Sequence, residues 1–80
     1  MKISIVIPCY NEAETIETIV QAVLAAPLSN LEIIIVDDCS TDGTKELLYK
    51  KISHLVEQII YHTKNQGKGA ALRSGFANVT

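Results

Sequence analysis

Leu31-Glu32-Ile33-Ile34-Ile35-Val36-Asp37-Asp38-Cys39-Ser40-Thr41-Asp42-Gly43 is the stretch that decides the fold. Within it, Ile33-Ile34-Ile35-Val36 is a continuous β-branched run that makes Leu31–Val36 the length of one strand and apolar on both faces. A strand covered on both sides is what the middle of a parallel sheet requires. The run then gives way to carboxylates, hydroxyls and a glycine, which is the composition of a turn.

Working outward, Ile3–Pro8 is a second short apolar run, closed by a proline, and reads as another buried strand. Asn11 follows as an N-cap, with Glu14 three residues later to complete a capping box. Ile16, Ile19, Val20, Val23 and Leu24 then fall on one face of a helix, which Pro27 ends. Beyond the central turn, a second helix begins near Thr41 or Asp42 and carries Leu47, Leu48 and Ile52. Val56–His62 reads as a third, shorter strand. From Gly67 to Val79, Leu72, Phe76 and Val79 recur at helical spacing.

The order is βαβαβα. Right-handed crossovers place the strands in a parallel α/β half-sheet ordered 3-2-1, with helices covering it. That order leaves the first strand at an edge. Ile3, Ile5 and Ile7 would form an apolar rim there, so pairing of two copies into a homodimer through Ile3–Ile7, or aggregation, is expected.

The 80 residues are enough for one small domain spanning 1–80. A hydrophobic fraction of 48% supports a core, and a formal net charge of −2 argues against a nucleic-acid partner, which needs a basic face. The run at Ile3–Ile7 is too short for a signal peptide, and no stretch approaches the ~20 apolar residues of a membrane span, so a cytoplasmic location is expected. Cys9 and Cys39 end adjacent strands and read as reduced thiols.

In open α/β sheets the ligand site lies beyond the carboxyl ends of the strands. Those ends carry Pro8–Glu12, Asp37–Asp42 and His62–Lys68, where the polar residues gather. Gly67-Lys68-Gly69 is not a P-loop, because Gly69 follows the lysine and His62 occupies the upstream glycine position. No glycine follows the first strand, so the dinucleotide fingerprint is absent as well. His54 and His62 have no cysteine or carboxylate at ligand spacing and read as surface or strand-end residues. Asp37, Asp38 and Asp42 have two readings, a cation cluster or a turn and a helix cap, and the second is the stronger.

Three segments together resemble a known family. Ile5-Val6-Ile7-Pro8-Cys9-Tyr10-Asn11-Glu12 is similar to the opening strand and loop of family 2 glycosyltransferases. Ile35-Val36-Asp37-Asp38-Cys39-Ser40-Thr41-Asp42-Gly43-Thr44 resembles their second strand and loop. Asn65-Gln66-Gly67-Lys68-Gly69-Ala70-Ala71-Leu72-Arg73-Ser74-Gly75-Phe76 resembles the loop and helix after their third strand, in the branch that loads a sugar onto a polyprenyl phosphate. The resemblance implies the first half of a GT-A fold and an inverting transfer from an NDP-sugar. Implied partners are a UDP-sugar or GDP-sugar donor and a polyprenyl-phosphate acceptor at the cytoplasmic membrane face. The implied cofactor is Mg²⁺ or Mn²⁺. The family's Asp-x-Asp metal motif follows the next strand and does not occur in these residues, so a donor half-site without metal ligands or catalytic residues is expected.

Within that half-site, Asp38 matches the family's base-reading aspartate. A carboxylate only accepts, so it can take the ring N–H of uracil or guanine but finds none on cytosine. Asp37 reads as structural. Pro8 and Tyr10 would wall the base, with simple packing an equal reading for Tyr10. Glu12 would accept from ribose hydroxyls. Asn11 would face the nucleotide or do no more than cap the helix. Lys68 sits between glycines at a helix start, where it would contact the diphosphate or stay solvated, and Arg73 is a weaker candidate.

Overall fold

The computed structural model describes residues 2–27 and 30–79. The elements are β1 (Ile3–Cys9), α1 (Ile16–Leu24), β2 (Leu31–Asp37), α2 (Thr44–Leu47) running into a π-helical segment (Leu48–Ile52), β3 (Gln58–Tyr61) and α3 (Lys68–Ala77). The three strands form one parallel sheet in the order β1-β2-β3. This is the half-sheet expected from the sequence, with β2 in the middle. Residues 33–36 of β2 are each 0–1% exposed, as a strand covered on both faces must be.

Strand alternation divides the core in two. Ile33 and Ile35 face α1 and the π-helical segment, packing with Cys9, Ile16, Val20, Leu48 and Ile52. Ile34 and Val36 face the other way, packing with Ala71 of α3 and with Val6 and Ile60. The π-helical segment closes with Ser53 N–H donating to Leu48 O across 2.7 Å, and it buries Leu48 and Ile52 completely.

Several expectations need correction. Asn11 does not cap α1. That helix starts at Ile16 after Thr15, and Glu12 O accepts from the Thr15 and Ile16 amides at 3.0 and 2.8 Å. Asn11 is instead in the left-handed region (φ 52°), and no Asn11/Glu14 box forms. α2 begins at Thr44, after Gly43 at φ 95°. β3 is shorter than Val56–His62: it runs from Gln58 to Tyr61, and at its start the Ile33 amide donates to the Glu57 side chain at 2.7 Å.

The stripe Leu72, Phe76, Val79 is not the buried face of α3. Phe76 is 62% exposed, while Ala71 and Gly75 are buried. Gly75 meets β1 so closely that a Cβ there would stand 2.2 Å from Val6 Cγ1. α3 therefore approaches the sheet through small residues. Among the described residues β1 pairs only with β2 and is an edge strand, but its rim is less apolar than expected: Ile3 is exposed, while Ile5 and Ile7 are half-buried.

Candidate functional site

Parallel register brings the carboxyl ends of all three strands together. Cys9 pairs with Asp37, and Asp37 with Tyr61, so the loops leaving β1, β2 and β3 lie side by side. Main-chain bonds continue past the strand ends: Asp38 N–H donates to Cys9 O and His62 N–H to Asp37 O, both at 2.8 Å.

The first two loops are tied by side chains. Asn11 N–H donates to Ser40 Oγ at 2.9 Å, and Asn11 Oδ1 accepts from the Thr41 amide at 2.7 Å. This explains the positive φ of Asn11, since asparagine tolerates that region while bonding locally. Asp37 is fully buried, and its carboxylate accepts from Ser40 N–H and Oγ–H at 3.1 and 2.5 Å. Asp42 accepts from Thr44 N–H at 3.0 Å, from the Thr44 hydroxyl, and from the Ala13 amide at 3.3 Å. The Thr44 hydroxyl is the largest influence holding the Asp42 carboxyl below its ordinary range.

Asp38 sits where the second and third loops meet. Its Oδ1 accepts from Gln66 N–H at 2.8 Å and from His62 Nδ1 at 2.9 Å, and its Oδ2 accepts from Gly67 N–H at 2.8 Å. Its main-chain oxygen accepts from Asn65 Nδ2 at 3.3 Å. Burial pushes the Asp38 carboxyl pKa up and is the largest single influence. The bonds from His62, Gln66 and Gly67 together outweigh it and leave the pKa lowered. Burial, with Asp37 nearby, pushes the Cys9 thiol up to about 12, so it stays protonated at neutral pH.

These loops enclose an open cavity of about 350 Å³, within the ~300–1,000 Å³ typical of small-molecule sites. Pro8, Cys9, Tyr10 and Glu12 line one side, Asp38 lies between, and Asn65, Gly67, Lys68 and Ala71 line the other. Pro8, Tyr10, Glu12, Asp38 and Lys68 thus share one cavity. Asn11 lies outside it, on a neighbouring acidic hollow that it shares with Glu12, Glu14, Thr15 and Asp42. Glu12 borders both, with its Oε2 accepting from the Thr15 hydroxyl at 2.5 Å. Tyr10 lines the cavity and is 47% exposed. Lys68 lines the cavity and opens α3 directly after Gly67 at φ 90°, where the amides of the first helical turn have no partner within the helix.

Asp37, Asp38 and Asp42 bond separate sets of donors: Ser40 for Asp37, His62, Gln66 and Gly67 for Asp38, and Thr44 and Ala13 for Asp42. Among the described residues no group of three or more His, Cys, Asp or Glu side chains could hold a metal ion.

Reading the sequence missed His62. It is buried rather than a loose strand-end residue, and it bridges Asp38 to Ser74 Oγ, the latter at 2.8 Å from Nε2. The available signal was its place at the end of the strand beside the one that ends in Asp37-Asp38.

Residues 4–80 match the profile of glycosyl transferase family 2. The chain belongs to glycosyl transferase family 2. It is 41% identical over 71 residues to the putative teichuronic acid biosynthesis glycosyltransferase TuaG of Bacillus subtilis, covering 86% of this chain and 28% of that protein. It is 41% identical over 73 residues to the poly-β-1,6-N-acetyl-D-glucosamine synthase of Staphylococcus aureus, covering 91% and 18%. The chain therefore spans about a quarter or less of the length of these family 2 relatives.

Solved structures agree on the fold. The mannosyltransferase PcManGT of Pyrobaculum calidifontis, in complex with GDP-Man and Mn²⁺, superposes with a TM-score of 0.81 at 28% identity, over 96% of this chain and 24% of that one. TarS 1-349 of S. aureus in complex with UDP-GlcNAc superposes with a TM-score of 0.62 at 30% identity, over 92% and 23%. The parallel β1-β2-β3 sheet with its helices is thus the N-terminal part of the GT-A fold of family 2.

Proposed function

We propose that this chain binds the nucleotide of an NDP-sugar donor for inverting glycosyl transfer. The observation that carries the proposal is the cavity in which Asp38, an acceptor-only group at the end of β2, lies between the Pro8–Tyr10 wall and the Lys68 start of α3. A carboxylate there suits the ring N–H of uracil or guanine, Tyr10 suits the face of the base, and Glu12 suits ribose hydroxyls. The amides at the start of α3, with Lys68, suit the negatively charged diphosphate. Arg73, exposed on α3, is a secondary contact for the same charge. Asn11 acts indirectly, by holding the Tyr10 loop to the Thr41 loop.

In such a transfer an acceptor oxygen attacks the anomeric carbon from the side opposite the diphosphate, which leaves as that bond breaks. These residues hold and orient the donor, and the groups that act on the acceptor lie elsewhere. An Mg²⁺ or Mn²⁺ ion, of the kind bound with GDP-Man in the solved mannosyltransferase, would neutralise the leaving diphosphate.

The donors named for the two solved neighbours, GDP-Man and UDP-GlcNAc, support this class without choosing between them. The relatives' names favour a growing glycan as acceptor over a polyprenyl phosphate. Partition of the labelled product distinguishes the two, since a glycosylated polyprenyl phosphate extracts into organic solvent and a glycan does not. Calorimetric titration with UDP-GlcNAc, GDP-Man and CDP tests the donor reading. Binding of one uridine or guanosine donor, with CDP weaker, is expected. Equal binding of CDP, or binding of none, would overturn the proposal.

The edge position of β1 favours a second reading, a self-associating module derived from this fold. It requires a dimer whose contact is lost when Ile3 and Ile5 are replaced by lysine. A concentration-independent monomer in sedimentation velocity would remove it.

A further inference from the structure

The side chains of half-buried Ser74 and buried His62 and Asp38 form a hydrogen-bonded chain running from α3 to the cavity. Ser74 Oγ lies 2.8 Å from His62 Nε2, and His62 Nδ1 lies 2.9 Å from Asp38 Oδ1. His62 is 7% exposed and Asp38 4%. An ionised carboxylate only accepts, so Nδ1 carries the hydrogen in this pair. The Nε2 of the neutral ring is then an acceptor for the Ser74 hydroxyl. If the ring takes a second proton, Nε2–H donates to the Ser74 oxygen instead. In both states the Nδ1–H bond to Asp38 survives.

The consequence lies in which lone pairs remain. A carboxylate offers about four acceptor sites, two on each oxygen. Oδ1 is filled by His62 and Gln66, whereas among the described residues Oδ2 receives only the Gly67 amide. The remaining acceptor site of Asp38 is on Oδ2, and Asp38 lines the cavity. We propose that His62 and Ser74 are positioning residues for base recognition: they hold Asp38 Oδ1 out of play, so that Oδ2 alone meets the ring N–H of the nucleobase.

This proposal rests on the donor reading above and assigns its base-reading atom. The serine–histidine–aspartate order matches that of a nucleophilic triad. Ser74, however, is not among the residues that line the cavity, so its hydroxyl has no substrate to attack there.

The alternative is a purely structural network that ties α3 to the sheet, and selectivity separates the two. The measured quantity is the ratio of UDP or GDP affinity, whichever binds, to CDP affinity, with thermal melts run in parallel. His62→Leu removes the donor to Oδ1 and should lower the ratio by about tenfold, the scale of a misaligned bond to a charged group, while CDP affinity holds. His62→Asn keeps an N–H near the Nδ1 position and should recover most of the ratio. Ser74→Ala, which leaves the Asp38 contact in place, should lower it by about threefold, and it serves as the test if His62→Leu does not fold. Imidazole nitrogen spectra of the wild-type protein should show hydrogen on Nδ1 of His62.

An unchanged ratio in folded His62→Leu, or in folded Ser74→Ala where His62→Leu does not fold, would overturn the positioning role, as would hydrogen on Nε2 alone. Asp38→Asn separates the two failures. If it abolishes the ratio while the His62 and Ser74 variants keep it, the positioning role alone falls. If Asp38→Asn keeps the ratio, the base reading falls and this inference with it.

Discussion

On one face of β2, Ile33 and Ile35 meet Ile16, Val20, Leu48 and Ile52; on the other, Ile34 and Val36 meet Ala71, with Val6 and Ile60 at the margin. The first face is filled by large branched side chains carried on helices. On the second, α3 presents Ala71 and Gly75 and leaves Phe76 in solvent. The difference places the site. A helix that packs through small residues sits close to the sheet, and closeness lets Ser74 reach His62 and lets the loop before α3 wrap its amides around Asp38. One face supplies stability by volume; the other supplies the position of the site by proximity.

The largest effect should come from the large-residue face. Ile35→Ala removes a fully buried branched side chain and is expected to cost about 2–5 kcal/mol in urea denaturation. On the opposite face the damaging change is enlargement. Gly75→Ala places a methyl 2.2 Å from Val6 Cγ1, and rotating the valine does not clear it, because Val6 Cβ is itself only 3.2 Å away. A net loss of about 1–3 kcal/mol is expected despite the better helix propensity of alanine, with partial recovery on adding Val6→Ala. If Gly75→Ala stabilises the protein, the close approach of α3 is wrong.

Acid should act in part through Asp38, whose bonds tie the loop before α3 to β2. Asp38 has a lowered folded pKa, so its contribution is fully present above the unfolded carboxyl value, about 3.9. That contribution is lost as pH falls through the lower folded value. The advantage in melting temperature of wild type over Asp38→Asn should therefore hold constant from pH 7 to about 5 and vanish only in stronger acid. An advantage already gone at pH 5 would contradict the hydrogen-bonded arrangement. The smallest effect belongs to Phe76. At 62% exposure, Phe76→Ser should change stability by no more than about 0.5 kcal/mol, whereas a stripe of Leu72, Phe76 and Val79 facing the core would make it severe.

How much of this was legible in the sequence follows from the same contrast. Ile33–Val36 and the α1 stripe announce themselves because large apolar residues recur at strand and helix periods. The sheet order and the gathering of polar loops at its carboxyl end follow from them. Small-residue packing leaves no such mark: Ala71 and Gly75 carry no hydrophobic signal, and the helical period points to Leu72 and Phe76 instead. Asn11 has the composition of a helix cap, and its bonds to Ser40 and Thr41 depend on a neighbouring loop 29 and 30 residues away. His62 stands 24 residues from Asp38 and 12 from Ser74, and only the parallel register that pairs Asp37 with Tyr61 brings them together.

The central claim is that the cavity beneath these loops receives a nucleotide whose base is read by Asp38. The most direct test is an amide chemical-shift map of the labelled protein titrated with UDP, GDP and CDP. Perturbation concentrated at Tyr10, Glu12, Asp38, Gly67 and Lys68, caused by UDP or GDP and not by CDP, is the predicted result. Equal perturbation by all three, or a footprint along Ile3–Ile7 with the cavity silent, would contradict it.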